Sequence, residues 1–237
     1  MNLLRDHEWA PQYTPASGNL LDIFYIPALS CAVRYDRATG YFGAEALLAA
    51  SKGVEQLVAN NGTMRLVCGC TLESGEIAAI QKGESLRETI DAHYLHNPFH
   101  ADKGSLRDAL ELLAWMVAKG ILEIRLAVAK HPDSGELLGE NGLFHAKYGI
   151  IRDRSGFSGS INETLAGWTR NWDSFLLMTS WNNRAHVESL EATFQALWEN
   201  REKTAIVMEL GEALKARLLD FAPQNDALPA RLQKPNT

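Results

Sequence analysis

The run from Ser30 to Cys70 constrains the fold more than any other part of the chain. SCAVRYD (Ser30 to Asp36) has the make-up of a strand core, and Arg37-Ala-Thr-Gly-Tyr-Phe-Gly43 reads as a turn. Ala44 to Ala59 carries apolar residues at helical spacing, and Asn60-Asn61-Gly62 closes it, with Gly62 the expected cap. TMRLVCGC (Thr63 to Cys70) then reads as a buried strand. Strand, helix and strand in that order place the two strands parallel in one sheet, with the helix across a face.

The remaining chain extends this α/β pattern. Asn19 to Leu29 reads as a helix interrupted by Pro27. Glu73 to Gln81, Ser85 to Tyr94 and Ser105 to Lys119 are helical by apolar spacing, and Gly120 ends the last of them. Ile121 to Ala129 is a strand, and His131 to Gly142 a loop rich in glycine and acids. Strands are expected at Gly142 to Ile151, Phe157 to Ser160 and Asp173 to Ser180, with a tight turn at Asp153-Arg154-Ser155-Gly156. Asn183 to Asn200 and Thr204 to Asp220 read as closing helices. The tail from Ala222, with Pro223, Pro229 and Pro235, reads as a linker or frayed end.

With 237 residues, 46% of them hydrophobic, the chain can bury a substantial core. Cys31, Cys68 and Cys70 are an odd number, so no complete disulfide framework is implied. Cys68 and Cys70 share one face of the expected strand and read as core residues, since a zinc site wants more ligands. This usage suits a reducing cytoplasm. The opening MNLLRDHEW is charged within its first residues, unlike a secretory signal, and no apolar run is long enough to span a bilayer. The net charge is −6. Proteins that hold duplex DNA by bulk attraction are usually basic, so contact with nucleic acid here needs a local patch, a single-strand groove or a partner.

The chemistry concentrates in FHAKYGIIRDRSGFSGSINET, Phe144 to Thr164. His145 and Lys147 are two apart on the expected strand and so point the same way. Gly159-Ser160-Ile161-Asn162 follows on the neighbouring strand. Phosphoryl transfer needs a nucleophile, a proton donor for the leaving oxygen, and donors on the non-bridging oxygens. A neutral imidazole can attack phosphorus, and Lys147 supplies a point charge. Ser160 and Asn162 can complete the anion cradle, Gly159 lets backbone approach, and Trp168, Arg170 or Trp172 can add stacking or charge.

H-x-K followed by G-S-x-N resembles the HKD motif of the phospholipase D superfamily. The resemblance implies a phospholipase D-like α/β fold, a mixed β-sheet flanked by helices on both faces. The domain would be residues 1–221, with 222–237 a linker or disordered tail. It implies a metal-independent hydrolase of phosphodiester bonds that passes through a phosphohistidine, without cofactor. In the family two such motifs form one site. This chain has one, which implies a homodimer with two His145 residues meeting across a two-fold axis, or a partner that supplies the second motif. On this reading His145, Lys147, Ser160, Asn162 and Asp173 are catalytic, and Gly159, Arg152, Trp168 and Arg170 bind substrate. The family's acid stands five residues after the lysine, where this chain has Arg152. Asp153 comes one later, a shift that turns a strand side chain to the other face. Asp173, in Asn171-Trp172-Asp173, is therefore the expected acid that orients the histidine; helicase-associated members carry N-x-E there.

Arg37 to Gly69 also resembles the opening of the phospholipase D-like domain of bacterial helicase-linked proteins, several of which act in antiphage defence. Together the resemblances cover roughly residues 10 to 200. They imply a cytoplasmic nuclease acting on DNA before RNA, in defence or DNA processing beside a helicase. The chain has no GxxxxGK[ST] and so no motor of its own. Two other readings stay open: a catalytically silent nucleic-acid-binding or dimerisation module, and a phospholipase, against which the lack of a membrane-binding element stands.

Several features have plainer readings. His93, His96 and His100 with Asp91 and Asp102 look like metal ligands but read as a helix end and a solvated loop. GFSGS lacks the second glycine of a nucleophile elbow. Tyr41 and Phe42 read as packing. Arg34 and Arg37 either bind phosphate or stay solvated or paired with Asp36. Trp168 and Trp172 read as half core, half site rim.

Overall fold

Among the described residues of the computed structural model there are eight strands: β1 Gln12–Tyr13, β2 Arg34–Thr39, β3 Thr63–Gly69, β4 Leu122–Ala129, β5 Lys147–Ile151, β6 Ser155–Gly159, β7 Phe175–Thr179 and β8 Ala205–Glu209. They form one sheet in the order β1-β7-β6-β5-β2-β3-β4-β8. The structure describes residues 4–71, 77, 85, 86, 88, 89, 92, 106–151, 155–223 and 229. β2, β3 and β4 are mutually parallel, as the strand–helix–strand order requires. β5, β6 and β7 join β2 by successive antiparallel pairings, and β8 pairs antiparallel with β4. The mixed sheet flanked by helices on both faces, expected from the sequence, is the architecture observed.

Strand alternation sorts the core into two layers. Met64, Leu66 and Cys68 of β3 and Ile124, Leu126 and Val128 of β4 point into the larger one. It is closed by α1 Ile26–Cys31, α2 Ala44–Ala49, α3 Ser51–Ala59, α4 Leu106–Ala118, α5 Leu165–Thr169 and α7 Glu212–Leu219. Val67, Ala127 and Ile150 face the other way and are covered by Phe194, Leu197 and Trp198 of α6 Arg184–Trp198. Arg65 and Arg125, on that second face, lie over the Trp198 ring at 4.9 Å and 4.1 Å, so long cationic stems roof the smaller layer.

Local structure departs from the sequence expectation at five places. First, β2 runs on through Arg37, Ala38 and Thr39, where a turn was expected, because β3 and β5 pair with it on both sides. Second, the helix after Gly43 is two helices, bent at Ala50 (φ −87°, ψ 20°). The second seats Gly53 on α1, where a Cβ would stand 2.9 Å from Ile26 O and from Leu29 Cβ. Third, Asn61 rather than Gly62 takes the left-handed turn at its end (φ 54°). Gly62 N–H donates to Leu57 O and Asn61 N–H to Val58 O, the paired closure that satisfies a helix terminus. Fourth, Ser155 and Gly156 are strand, paired with Ile151 and Ile150. Fifth, Thr204 to Asp220 is not one helix: Ala205–Glu209 is an edge strand, with Ala205 and Val207 buried against the smaller layer. β-branched Ile206 and Val207 suit a pleated, half-buried edge. The helix begins only after Gly211.

Pro27 sits in the first turn of α1, directly after a π-turn at Leu21–Tyr25. A residue without N–H is tolerated where no intrahelical partner is needed. The expected helix at Glu73 to Gln81, most of that at Ser85 to Tyr94, the His93–His96–His100 group and most of the tail lie outside the described residues. No helix among the described residues is long and apolar enough to cross a membrane.

Candidate functional site

β2, β3 and β6 end, and β5 and β7 begin, at the same end of the sheet. Pairing directions cause this, since β5 is antiparallel to β2 and to β6, and β6 to β7. That end gathers Gly40 and Tyr41, Gly69, Phe144 to Lys147, Gly159 to Asn162, and Asp173. Lys147 stands opposite Thr39, so both side chains share the face of the larger layer.

His145 is exposed and lies just before β5, which begins at Lys147. The expectation that both residues sit on one strand is thus corrected: the histidine is carried on the extended lead-in. What fixes it there is close packing. A Cβ on Gly40 would come within 2.6 Å of His145 Cδ2, and one on Gly69 within 2.5 Å of Phe144 O. Tyr41 stands edge-on to the imidazole, ring centroids 6.0 Å apart at 80°. Burial lowers the His145 pKa below the ordinary 6.5, and the Lys147 charge lowers it further. Burial also lowers that of Lys147; Asp173 opposes this and Arg37 adds to it. Lys147 thus feels Asp173 and Arg37, and His145 feels Lys147.

Ser160 Oγ donates to Asp173 Oδ1 at 2.6 Å and accepts from Ser174 N–H at 3.0 Å. Asp173 is 8% exposed, and its Oδ2 has no partner among the described residues. Its bonded oxygen is engaged by Ser160, and no bond from either oxygen to the imidazole is present among the described residues. Asn162 Oδ1 accepts from Tyr41 N–H at 3.3 Å and Thr39 Oγ1 at 3.4 Å, which ties the Ser160–Asn162 turn to the Gly40–Tyr41 turn.

Beneath the site lies a buried ion pair that sequence reading missed. Arg37 and Glu163 are 0% and 1% exposed. Arg37 Nε donates to Glu163 Oε2 at 2.8 Å and its Nη2 to Ile161 O at 2.6 Å. Tyr35 Oη and Trp168 Nε1 also donate to the Glu163 carboxylate. Glu163 N–H donates to Thr39 Oγ1, and Glu163 O accepts from Gly43 N–H. Neither expected role for Arg37 holds. As a neighbour on the same strand, Asp36 points to the opposite face, where it pairs with Arg34 at 3.1 Å and Arg65 at 2.7 Å. An acid inside GSINET, and an arginine in a strand that leads to the site, were the available signals.

Trp168 also departs from its expected place at the site rim. It is 1% exposed, stacked on Tyr25 at 4.2 Å, and forms part of the aromatic core with Phe24, Phe157 and Phe175, so it cannot stack on substrate. Trp172 is 77% exposed, and Tyr41, expected as packing, is 42% exposed beside His145. Gly159 has a structural reason of its own: a Cβ there would collide with Ser174 O and Phe175. Arg170 is exposed; Arg152 and Asp153 lie outside the described residues. Among the described residues no three His, Cys, Asp or Glu side chains cluster as metal ligands.

The contact of Gly40 with the imidazole gives a sharp expectation. Gly40→Ala should displace His145 while leaving the core intact, and misplacement on the ångström scale can cost about a hundredfold in rate. Turnover should fall with little change in melting temperature. Unaltered turnover would mean that His145 need not occupy this position.

The family described as cardiolipin synthase, PLD-like domain, matches residues 102–198, which include His145 to Asp173. None of the curated proteins matches the sequence. Among solved structures, NucT from Helicobacter pylori is similar at 12% identity, with 83% of this chain and 97% of that chain covered and a TM-score of 0.48. Nuc from Salmonella typhimurium, a phospholipase D family member, is 14% identical over 75% of this chain and 86% of that chain, with a TM-score of 0.44. Phosphatidylserine synthase of Haemophilus influenzae Rd KW20 is 15% identical over 94% of this chain but 42% of that chain, with a TM-score of 0.48.

Proposed function

We propose that the chain is a phospholipase D-like phosphodiesterase that cleaves nucleic acid through a phosphohistidine on His145. The observation that carries the reading is the gathering of His145, Lys147, Ser160, Asn162 and Asp173 at one end of the sheet, where Ser160 Oγ donates to Asp173 Oδ1 and Asn162 Oδ1 accepts from Tyr41 N–H. An imidazole nitrogen of His145 attacks phosphorus, and the P–O bond to the leaving oxygen breaks. That oxygen takes a proton from His145 of a second copy. Water then attacks the phosphohistidine, gives its proton to the second imidazole, and releases the phosphate monoester. Lys147 and the Asn162 side-chain amide hold the non-bridging oxygens as charge develops on them. Asp173 keeps Ser160 in place through the 2.6 Å bond. No step requires a metal.

The homodimer supplies the second histidine that one motif lacks, with the site at the interface. Residues 1–221 form the working domain and 222–237 a linker. A cytoplasmic role in antiphage defence or DNA processing beside a helicase, with DNA the preferred substrate, completes the proposal.

Trapping tests the mechanism. A substrate labelled at the scissile phosphate, quenched in alkali, should leave label on the wild-type chain and none on His145→Ala. Label retained by His145→Ala would overturn the assignment. The pH dependence follows from the sign of the shift. The attacking imidazole must be neutral and its counterpart in the second copy protonated, so the profile is a bell whose acid limb reports the pKa of the attacking His145. Burial and the Lys147 charge place that limb below pH 6.5. Lys147→Met should move the acid limb upward as well as lower the rate, and an acid limb that moves down would contradict the electrostatics.

The second reading, a silent nucleic-acid-binding module, is favoured by the Asp173 bond to Ser160 instead of to the imidazole. It predicts nucleic-acid binding without turnover by the wild-type chain and no trapped label.

A further inference from the structure

We propose that Trp172 and Tyr41 form a stacking platform for unpaired nucleobases, so that the strand enters the site single. The inference rests on the phosphodiesterase reading above and names its substrate class. Trp172 stands 77% exposed on a loop whose backbone is tied down on both sides. Before it, Arg170 N–H and Asn171 N–H both donate to Ala166 O. After it, Asp173 is buried and bonded to Ser160, and Ser174 exchanges backbone and side-chain bonds with Ser160. A fixed loop thus holds an indole in water, one residue from the carboxylate that acts on Lys147. Trp168 shows the alternative within the same stretch: buried, stacked on Tyr25, with its Nε1 bonded to Glu163.

Tyr41 is the second exposed aromatic at this end. Its turn is held by the Asn162 Oδ1 bond, and its ring meets the His145 imidazole edge-on, which leaves the phenol 42% exposed beside the nucleophile. Two aromatic rings that border a phosphate cradle can receive the bases on either side of a phosphate. Stacking is indifferent to sequence and to bulk charge, which suits a chain of net charge −6. In a duplex the base faces are occupied by their neighbours, so a platform of this kind selects unpaired strands.

The experiment compares three fluorescent 12-mers bound to the His145→Ala chain, which removes turnover: oligo-dT, an abasic strand with the same phosphates, and the dT·dA duplex. Oligo-dT should bind at least about tenfold more tightly than either of the others. Adding Trp172→Ala should remove the preference over the abasic strand while leaving abasic binding as it was, and Trp172→Phe should restore it. Equal affinity for oligo-dT and the abasic strand, or a preference that survives Trp172→Ala, overturns the proposal. So does a Trp172→Ala chain that keeps its base preference but loses self-association on sedimentation, since the indole would then be a protein contact. Should the base preference appear while the wild-type chain cleaves nothing, the cleavage reading fails and the platform stands.

Discussion

His145→Ala should abolish cleavage of DNA and RNA, by at least ~10⁴-fold, with labelled single- and double-stranded substrates in excess EDTA. On the proposed mechanism the imidazole attacks in one copy and donates the proton from the other, so one substitution would remove both roles. The side chain is exposed and makes no core contact, and its packing neighbour is Gly40, which carries no side chain to lose support. The variant should therefore fold as the parent does, with the same urea midpoint. Cleavage by a clean preparation of the variant would remove His145 from the reaction. Cleavage by the parent that disappears in EDTA would replace the phosphohistidine route with a metal-dependent one.

Glu163→Gln should give the largest loss of stability, about 3–5 kcal/mol in urea unfolding, because it leaves the fully buried Arg37 charge without its counter-charge. Arg37 Nη1 already has no partner among the described residues, so no spare acceptor stands ready. The double variant Arg37→Met/Glu163→Leu should regain more than half of that loss, since a packed apolar pair can replace a buried ion pair. It should not regain activity, because Arg37 also holds Ile161 O and Glu163 joins the Ser160–Asn162 turn to Thr39 and Gly43. A loss under ~1 kcal/mol for Glu163→Gln would mean that the pair is a bystander, and the stability reading would fall.

The candidate site is legible in the sequence where chemistry and spacing coincide locally. His145, Lys147, Ser160 and Asn162 lie within eighteen consecutive residues, and a strand–turn–strand path brings such a stretch back on itself. Asp173 was reachable by the same logic as the next strand's first turn, but its partner was not. Whether its carboxylate meets an imidazole or a hydroxyl depends on the stagger of β6 against β7, which no local pattern encodes. The two tryptophans differ for a similar reason. Trp168 and Trp172 are four apart, and only the end of the short α5 helix between them turns one into the core and leaves the other in water.

The sequence by itself determined the α/β class, the parallel β2–β3 pair and the motif, because each depends on apolar periodicity or on residues close in the chain. Tertiary structure alone decided that Arg37 reaches Glu163, 126 residues away, instead of its neighbour Asp36. It also decided that Ala205–Glu209 is an edge strand rather than a helix turn. Both outcomes turn on which face of a strand a side chain takes and what the rest of the sheet sets against that face. Burial at long range, worth more than local propensity, settles both choices.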